Sequence, residues 1–338
     1  GGNGVMGYSA QSNIDGINIV IGRVGANCGC VHLASGKCWI TDNALYSAEK
    51  LADYDESFLH ELLKHLRLDR LRGQSGQPLV TQEPIHSLKA LLPPLPEQRK
   101  IAEILRTWDE AIEKLEALRA AKESRLDGLR AGLLFGGRRL NGHRRKWTTR
   151  HLSEVTHELT ARNGKMKLGR DAVMGVTNAQ GIVPMREQTI AEDIGRYKRL
   201  PPRAFAYNPM RINVGSIAMN DGSEEVLVSP DYVVFACKAE GLDPDYLDHL
   251  RKTRWWGHYI NSGGSGSVRM RTYYDDLAAM KLPLPQLDEQ REILRVLNAA
   301  RDEVTKTAQQ IEALTRQKRG LMQKLLTGEW RVNAGATS

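Results

Sequence analysis

One stretch limits what this 338-residue chain can fold into: LPEQRKIAEIL at 95–105 returns as LPQLDEQREILRVL at 284–297. From the shared Glu-Gln-Arg onward the two segments stay in register at an offset of 192. Ile101 answers to Ile293, Leu105 to Leu297, Ile112 to Val304, Leu129 to Leu321, Leu133 to Leu325 and Gly136 to Gly328. Self-similarity over this length marks an internal duplication. Pro96 and Pro285 close an extended Leu-Pro run, where a proline suits the first turn of a helix. Glu97 and Glu289 bring negative charge to the positive end of the helix dipole. Both places read as helix starts.

Within the first copy the positions 101, 105, 108, 112, 115, 119, 122, 126, 129 and 133 step by four and three in alternation, and the second copy repeats them. This is heptad spacing, which lays one seam along a helix and calls for a partner helix. Arg119, Lys122, Thr307 and Lys318 interrupt the seam, so the pair is expected to pack with moderate regularity. From Glu97 to Leu134 the helix would run about 57 Å at 1.5 Å per residue, longer than an ordinary globular helix. Gly136-Gly137 then supplies the residue without a Cβ that a left-handed cap favours.

What precedes each rod is duplicated more loosely. Asp55-Glu56-Ser57-Phe58-Leu59 with Leu62 and Leu66 matches Asp243-Pro244-Asp245-Tyr246-Leu247 with Leu250, each an acidic cap followed by an apolar helical face. INIVI (17–21), EVLVS (225–229) and DYVVFAC (231–237) are rich in β-branched residues and bounded by turn formers, which predicts strands. Each rod is thus fed by a mixed α/β globule, an α+β architecture overall. The divisions expected are a first globule over 1–93, a rod with a basic linker over 94–146, a second globule over 147–283 and a second rod over 284–332. The first globule is the shorter, and its front is expected to be missing or reduced. There is no initiator Met, and the Gly-Gly-Asn-Gly start suggests a fragment end.

The net charge of +8 is unevenly spread. Residues 1–93 carry −1, 94–153 carry +6, 154–283 carry +1 and 284–338 carry +2. Between Asp127 and Glu154 the chain holds Arg130, Arg138, Arg139, Arg144, Arg145, Lys146 and Arg150 with no acid, a cluster of the size that faces a polyanion. Four cysteines are too few for a disulfide framework, and nothing resembles a secretory signal or an 18-residue apolar run. A reducing, cytoplasmic setting is expected.

The doubled PLP…EQR helix start, the NPMRINVGSIA…VSPDYVVF run (208–235), GGSGSVRMR (263–271) before DLAAMKLPLP (276–285), and QPLVT (77–81) before LLPPLP (91–96) together carry a resemblance. The chain resembles the specificity subunit of type I restriction-modification systems, over nearly its whole length. The resemblance implies two target-recognition domains, each gripping half of a bipartite double-stranded DNA site, held apart by two long helices packed antiparallel as a coiled coil. It implies no catalysis by this chain and no cofactor bound to it. Adenosylmethionine, ATP and Mg would belong to partners, namely methyltransferase (modification) subunits, two per chain, and restriction or translocase subunits of a host-defence system. A rigid helix pair of about 57 Å would set the gap between half-sites as dimer geometry sets operator spacing.

Candidate DNA contacts in the second globule are Lys165, Lys167 and Arg170 in a Gly-containing polar stretch, Asn220, Asp221 and Ser223 in a turn, and Ser262, Ser265, Ser267, Arg269 and Arg271, where small residues let a backbone approach phosphate. In the first globule the corresponding residues are Arg23, Asn27, Gln74, Ser75 and Gln77. Arg reads guanine and Asn adenine, while Ser and Lys more often position the backbone. Trp255-Trp256 reads as packing and not as a stacking platform, which sequence-specific duplex binding does not need.

Several sharper signals are set aside. YNPMR (207–211) lacks the second proline and aromatic of the adenine methyltransferase loop, and no Gly-rich cofactor loop follows a strand. Cys28, Cys30, His32 and Cys38 lack the paired C-x2-C knuckles of common zinc sites. The Gly/Ser run at 263–267 has no Gly-Lys-Ser/Thr after it. A combined restriction-methylation enzyme of the type IIB or IIG sort would need an adenosylmethionine domain in the polypeptide. A plain coiled-coil scaffold would explain the helices but neither the doubled globules nor the basic junction.

Overall fold

The computed structural model describes residues 1–2, 4–47, 49–73, 78–140, 142, 145–165, 168–178, 180–262 and 271–333. The chain divides into two compact units, residues 1–119 with 306–338 and residues 120–305. The division runs through both rods, so each unit holds one globule, the start of one long helix and the end of the other.

In the first unit, β1 (Asn18–Gly22) lies between β2 (Val31–Ala34) and β3 (Ala44–Tyr46), antiparallel to both. β1 is buried on both faces. Ile19 and Ile21 pack with Val31 and Leu68, and Val20 packs with Ile40 and Ala44 on the other side. α1 (Glu56–His65) is capped by Asp55, whose carboxylate accepts the Phe58 N–H at 2.9 Å and satisfies an otherwise orphaned donor. α2 (Gln82–His86) follows, and then α3 (Leu95–Leu133), the first rod.

The second unit opens with β4 (Thr148–His151), α4 (Leu152–Val155) and β5 (Thr156–Glu158), followed by β6 (Met174–Thr177), β7 (Gly181–Pro184), β8 (Lys198–Leu200), β9 (Phe205–Tyr207), β10 (Ile217–Met219), β11 (Val226–Val228) and β12 (Val233–Cys237). α5 (Pro244–Leu250), α6 (Arg254–Ser262), α7 (Tyr274–Ala278) and β13 (Lys281–Leu284) lead into the second rod, α8 (Leu287–Leu326). The main sheet has the order β10-β9-β12-β5, and β11-β8, β13-β4 and β6-β7 form separate ladders. Its core is aromatic: Phe205 and Phe235 stack with ring centroids 5.2 Å apart, and Tyr207 and Tyr246 are fully buried.

The duplication extends into the sheets. Ile217 opposite Tyr207 and Tyr207 opposite Val233 in the second unit repeat Val31 opposite Ile21 and Ile21 opposite Leu45 in the first. β9, β10 and β12 therefore repeat β1, β2 and β3, as α5 and α7 repeat α1 and α2.

At 1.5 Å per residue the 39-residue α3 and the 40-residue α8 extend about 58 and 60 Å. In the first unit Ile101 and Leu105 of α3 pack with Leu325 and Leu326 of α8, beside Phe58 and Leu62. In the second, Leu126 and Leu133 share a core with Ile293, Leu294 and Leu297. Each unit pairs the start of one rod with the end of the other, so the rods run antiparallel. Two of the polar residues that interrupt the seam are buried within it: Lys318 is 8% exposed and its ammonium reaches Asp109 at 2.5 Å, and Thr307 is buried. Gly136 and Gly328 follow the two rods in the left-handed region, at φ +72° and +74°.

Candidate nucleic-acid interface

The repeated Glu-Gln pair joins each rod to its globule. Gln98 accepts the Asp55 N–H at 2.9 Å and donates to the Pro93 carbonyl at 2.8 Å. Gln290 accepts the Asp243 N–H at 2.9 Å and donates to the carbonyls of Pro285 at 3.0 Å and Gly241 at 3.1 Å. In both units one amide thus ties the helix cap of the globule to the loop that enters the rod.

The neighbouring glutamates do more than favour a dipole. Glu97 accepts a bidentate pair from Arg331, at 2.8 and 2.6 Å, and the Val332 N–H at 3.0 Å. Glu289 accepts Arg139 at 2.6 and 2.9 Å and the Trp147 indole N–H at 3.1 Å. Arg139 and Arg331 stand 192 residues apart, so the segment leaving each rod is clamped to the start of the other. The Arg331 hydrogen bonds, working against desolvation and aided by the Val332 N–H, hold the Glu97 carboxyl below its usual range. Such a bidentate pair needs the planar guanidinium.

This changes the reading of the basic junction. Arg139 is committed to Glu289. Arg130, 8% exposed, donates to Asp127 at 2.8 Å and to His249 Nδ1 at 3.3 Å. Arg138, Arg145, Lys146 and Arg150 are exposed, and Arg144 lies outside the described residues. His249, wholly buried, accepts from Arg130 and meets Asn298 Oδ1 at 2.9 Å through Nε2. A guanidinium cannot accept, so Nδ1 is the bare nitrogen and Nε2 carries the proton toward Asn298. Burial, reinforced by Arg130 and Arg301 against the Asn298 hydrogen bond, lowers this imidazole to about 4.

The sequence candidates occupy contrasting places. In the second unit Lys165, Asp221, Ser223, Ser262 and Arg271 are exposed, with Arg271 3.3 Å from the Tyr273 hydroxyl and the Ser262 hydroxyl donating to the Tyr259 carbonyl. Asn220 is buried. Its amide donates to the carbonyls of Leu200 and Glu224, and its oxygen accepts the Gly222 N–H, so it builds the turn that presents Asp221 and Ser223. Arg170 is half-buried, paired with Glu187 at 2.6 Å and bonded to the Ala191 and Ile190 carbonyls. In the first unit Asn27 is exposed in a turn, whereas Arg23 is half-buried between Asn43 and Val80, which its backbone bonds. Gln74, Ser75, Gln77, Lys167, Ser265, Ser267 and Arg269 lie outside the described residues. Trp256 is buried in the second unit's core, and Trp255 stacks on Tyr259.

The sequence reading passed over a cleft of about 940 Å³ in the second unit, where Asn178, Gln180, Asn213, Arg203 and Trp256 border a charged floor. The floor centres on Asp248, 4% exposed, which accepts Arg251 at 2.9 and 2.6 Å and Lys252 at 2.7 Å, with Arg301 at 4.0 Å. Burial alone would push this carboxyl up, but Arg251 and Lys252 prevail and keep it below its usual range. Burial lowers the Lys252 ammonium despite Asp248. Arg203, Arg251, Lys252 and Arg301 against Asp221, Asp245 and Asp248 leave the lining positive by one charge. Arg251 and Lys252 follow a duplicated acidic cap, which is the signal that could have found them. Among the described residues no group of three or more His, Cys, Asp or Glu is placed to hold a metal, and no helix is long and apolar enough to cross a membrane.

Each unit is a globule fixed to the start of one rod and the end of the other, and known proteins share features of the chain. Residues 2–122 match the family model described as the Type I restriction modification DNA specificity domain. The chain resembles type I restriction enzyme specificity subunits along most of its length. It is 25% identical over 338 aligned positions to the MjaVIII specificity subunit of Methanocaldococcus jannaschii, covering 91% of this chain and 78% of that one. The putative MjaX subunit of the same organism is 23% identical, over 81% and 68%. The EcoprrI specificity subunit of Escherichia coli is 28% identical over 124 residues, a match spanning 37% of this chain and 31% of that one. A crystal structure of the S subunit from M. genitalium superposes with a TM-score of 0.58 at 16% identity, covering 95% and 86% of the two chains. A chain from a study of complex assembly and conformational transition in the type I system gives 0.51 at 18%, covering 93% and 82%. The two structures share the fold.

Proposed function

We propose that this chain is the DNA sequence-specificity subunit of a type I restriction-modification complex, reading a bipartite double-stranded target with one half assigned to each unit. The observation that carries the reading is the doubled construction itself: two globules of one sheet pattern, each fixed to a rod by the same Gln hydrogen bonds and each closed by the same Glu-Arg clamp. A chain that reads two half-sites needs two such surfaces, and a scaffold does not. The chain is assigned no catalytic step. Methyltransferase subunits, two per chain, and restriction subunits are the proposed partners, and adenosylmethionine, ATP and Mg act on them. Asn27, Lys165, Asp221, Ser223, Ser262 and Arg271 are the proposed DNA contacts among the described residues, with Asn220, Arg170 and Arg23 shaping the loops that present them.

Methylome sequencing tests this reading in cells expressing the chain with its neighbouring methyltransferase subunit. A split motif with a fixed gap, present only when the chain is present, is the expected result. Methylation unchanged by deleting the chain, in cells where the methyltransferase is active, would sink the proposal and favour the scaffold.

A further inference from the structure

The two units build one loop twice. Residues 22–30, where β1 turns into β2, match residues 208–216, where β9 turns into β10, nine residues in each. The Gly22 N–H donates to the Cys30 carbonyl at 2.8 Å, and the Asn208 N–H to the Ser216 carbonyl at 3.1 Å. The Cys28 N–H donates to the Gly25 carbonyl at 3.0 Å, as the Val214 N–H does to that of Arg211 at 3.2 Å. A later segment braces each loop by the same bond, from the Val80 N–H to the Arg23 carbonyl at 2.9 Å and from the Thr272 N–H to the Pro209 carbonyl at 3.0 Å. Gly29 and Gly215 take the left-handed region before the second strand, at φ +87° and +86°.

The frame is repeated and the tip is not. Where the first loop has Gly25, Ala26, Asn27 and Cys28, the second has Arg211, Ile212, Asn213 and Val214. Ile212 is buried and seats the second loop on the core of its unit. Around it Met210, Arg211, Asn213 and Val214 are exposed, and the Asn208 carboxamide oxygen fixes the turn by accepting the Met210 N–H at 2.9 Å. Among the described residues the side chains of Arg211 and Asn213 make no hydrogen bond or ion pair. Thr272, which braces the loop, stands between the exposed Arg271 and Tyr273, so the tip adjoins a contact already proposed. A guanidinium fork fits the O6 and N7 of guanine, a carboxamide fits the N6 and N7 of adenine, and apolar groups suit the thymine methyl. An arginine and an asparagine held out between Met210 and Val214 on a braced loop supply all three chemistries.

Resting on the specificity-subunit reading, we propose that residues 210–214 are the base-reading tip of the second unit, with Arg211 directed to a guanine and Asn213 to an adenine in the major groove. Asn213 is the counterpart of Asn27, at the same place in the repeated loop. Gly25 puts no side chain where Arg211 stands. The first unit therefore lacks the guanine contact of the second, and the two half-sites differ in sequence although their loops share one frame.

The test combines methylome sequencing of cells expressing the full chain and its neighbouring methyltransferase subunit with duplex binding by the purified complex. Arg211→Ala is expected to lower discrimination by about tenfold or more at one G·C pair in one half of the split motif. Asn213→Ala should do the same at one A·T pair in that same half, and both variants should keep the parent's thermal midpoint and its preference in the other half. A parental split motif that both variants leave intact would overturn the loop assignment alone. Even weakening across all duplexes would overturn it as well, because the loop would then touch phosphate and not bases. A parent chain that directs no split motif would remove the specificity-subunit reading, and this inference with it.

Discussion

Gln290 shows how much one side chain can hold. It is wholly buried and makes three hydrogen bonds, to Asp243, Pro285 and Gly241. Truncation leaves one backbone donor and two acceptors without partners in a dry site. Gln290→Ala is therefore expected to cost about 2–4 kcal/mol in urea unfolding, and Gln98→Ala, with two such bonds, about 1–3 kcal/mol. A Gln290→Glu variant at neutral pH should cost at least as much, because the carboxylate cannot donate to either carbonyl. His249 adds a pH dependence. Its folded value of about 4 lies below the ordinary 6.5 of a histidine, so between these values the unfolded chain takes a proton that the folded chain refuses, and stability falls as pH drops from 6.5 towards 4. The full window is worth about 3 kcal/mol as an upper bound. His249→Gln removes the titration, and the urea midpoint of this variant should change less over that window than that of the parent.

At the scale of elements, the rods were legible because their duplication survives as identity, from Glu97-Gln98-Arg99 with Glu289-Gln290-Arg291 through to Gly136 with Gly328. The sheets were only partly so. β11 and β12 follow the β-branched runs, but β9 repeats β1 with Tyr207 in place of Ile21, a match of pairing and burial that no residue comparison reveals. What the site residues bond to was hidden for a related reason. Arg130 and Arg139 read as part of a polyanion surface because their partners, His249 and Glu289, lie over a hundred residues further along the chain. Asn220 read as a base contact because turn-building Asn and base-reading Asn look alike in sequence. Lys318 read as a flaw in the seam, yet it is a buried cation answered by Asp109. Asp109→Ala should therefore destabilise by about 1–3 kcal/mol, since it strands the ammonium, whereas Lys318→Met should be neutral or stabilising in the same urea titration. Equal losses from the two substitutions would mean that the pair, and not the stranded charge, sets the cost.

For the whole molecule, the net charge of +8 is a weaker guide to DNA binding than the charges left over once internal pairs are subtracted. Arg139, Arg331, Arg170, Arg199 and Arg203 are engaged with Glu289, Glu97, Glu187, Glu225 and the Asp243/Asp245 pair, respectively. Lys165, Arg271 and the exposed junction residues Arg138, Arg145, Lys146 and Arg150 carry charge that none of these pairs takes up. If the two units read separate half-sites, as proposed, damage to one should be confined to its own half. Lys165→Ala with Arg271→Ala is expected to weaken binding of the full chain to its methylation target and to relax base preference in one half of the motif only. Asn27→Ala should relax the other half. Arg145→Ala should weaken binding evenly across sequences and reduce the log–log salt slope by about 1. Salt titrations on duplexes mutated in either half separate these outcomes. A loss of preference in both halves from the Lys165 and Arg271 pair would show that the two surfaces are not independent readers, and the division of the target between the units would fall.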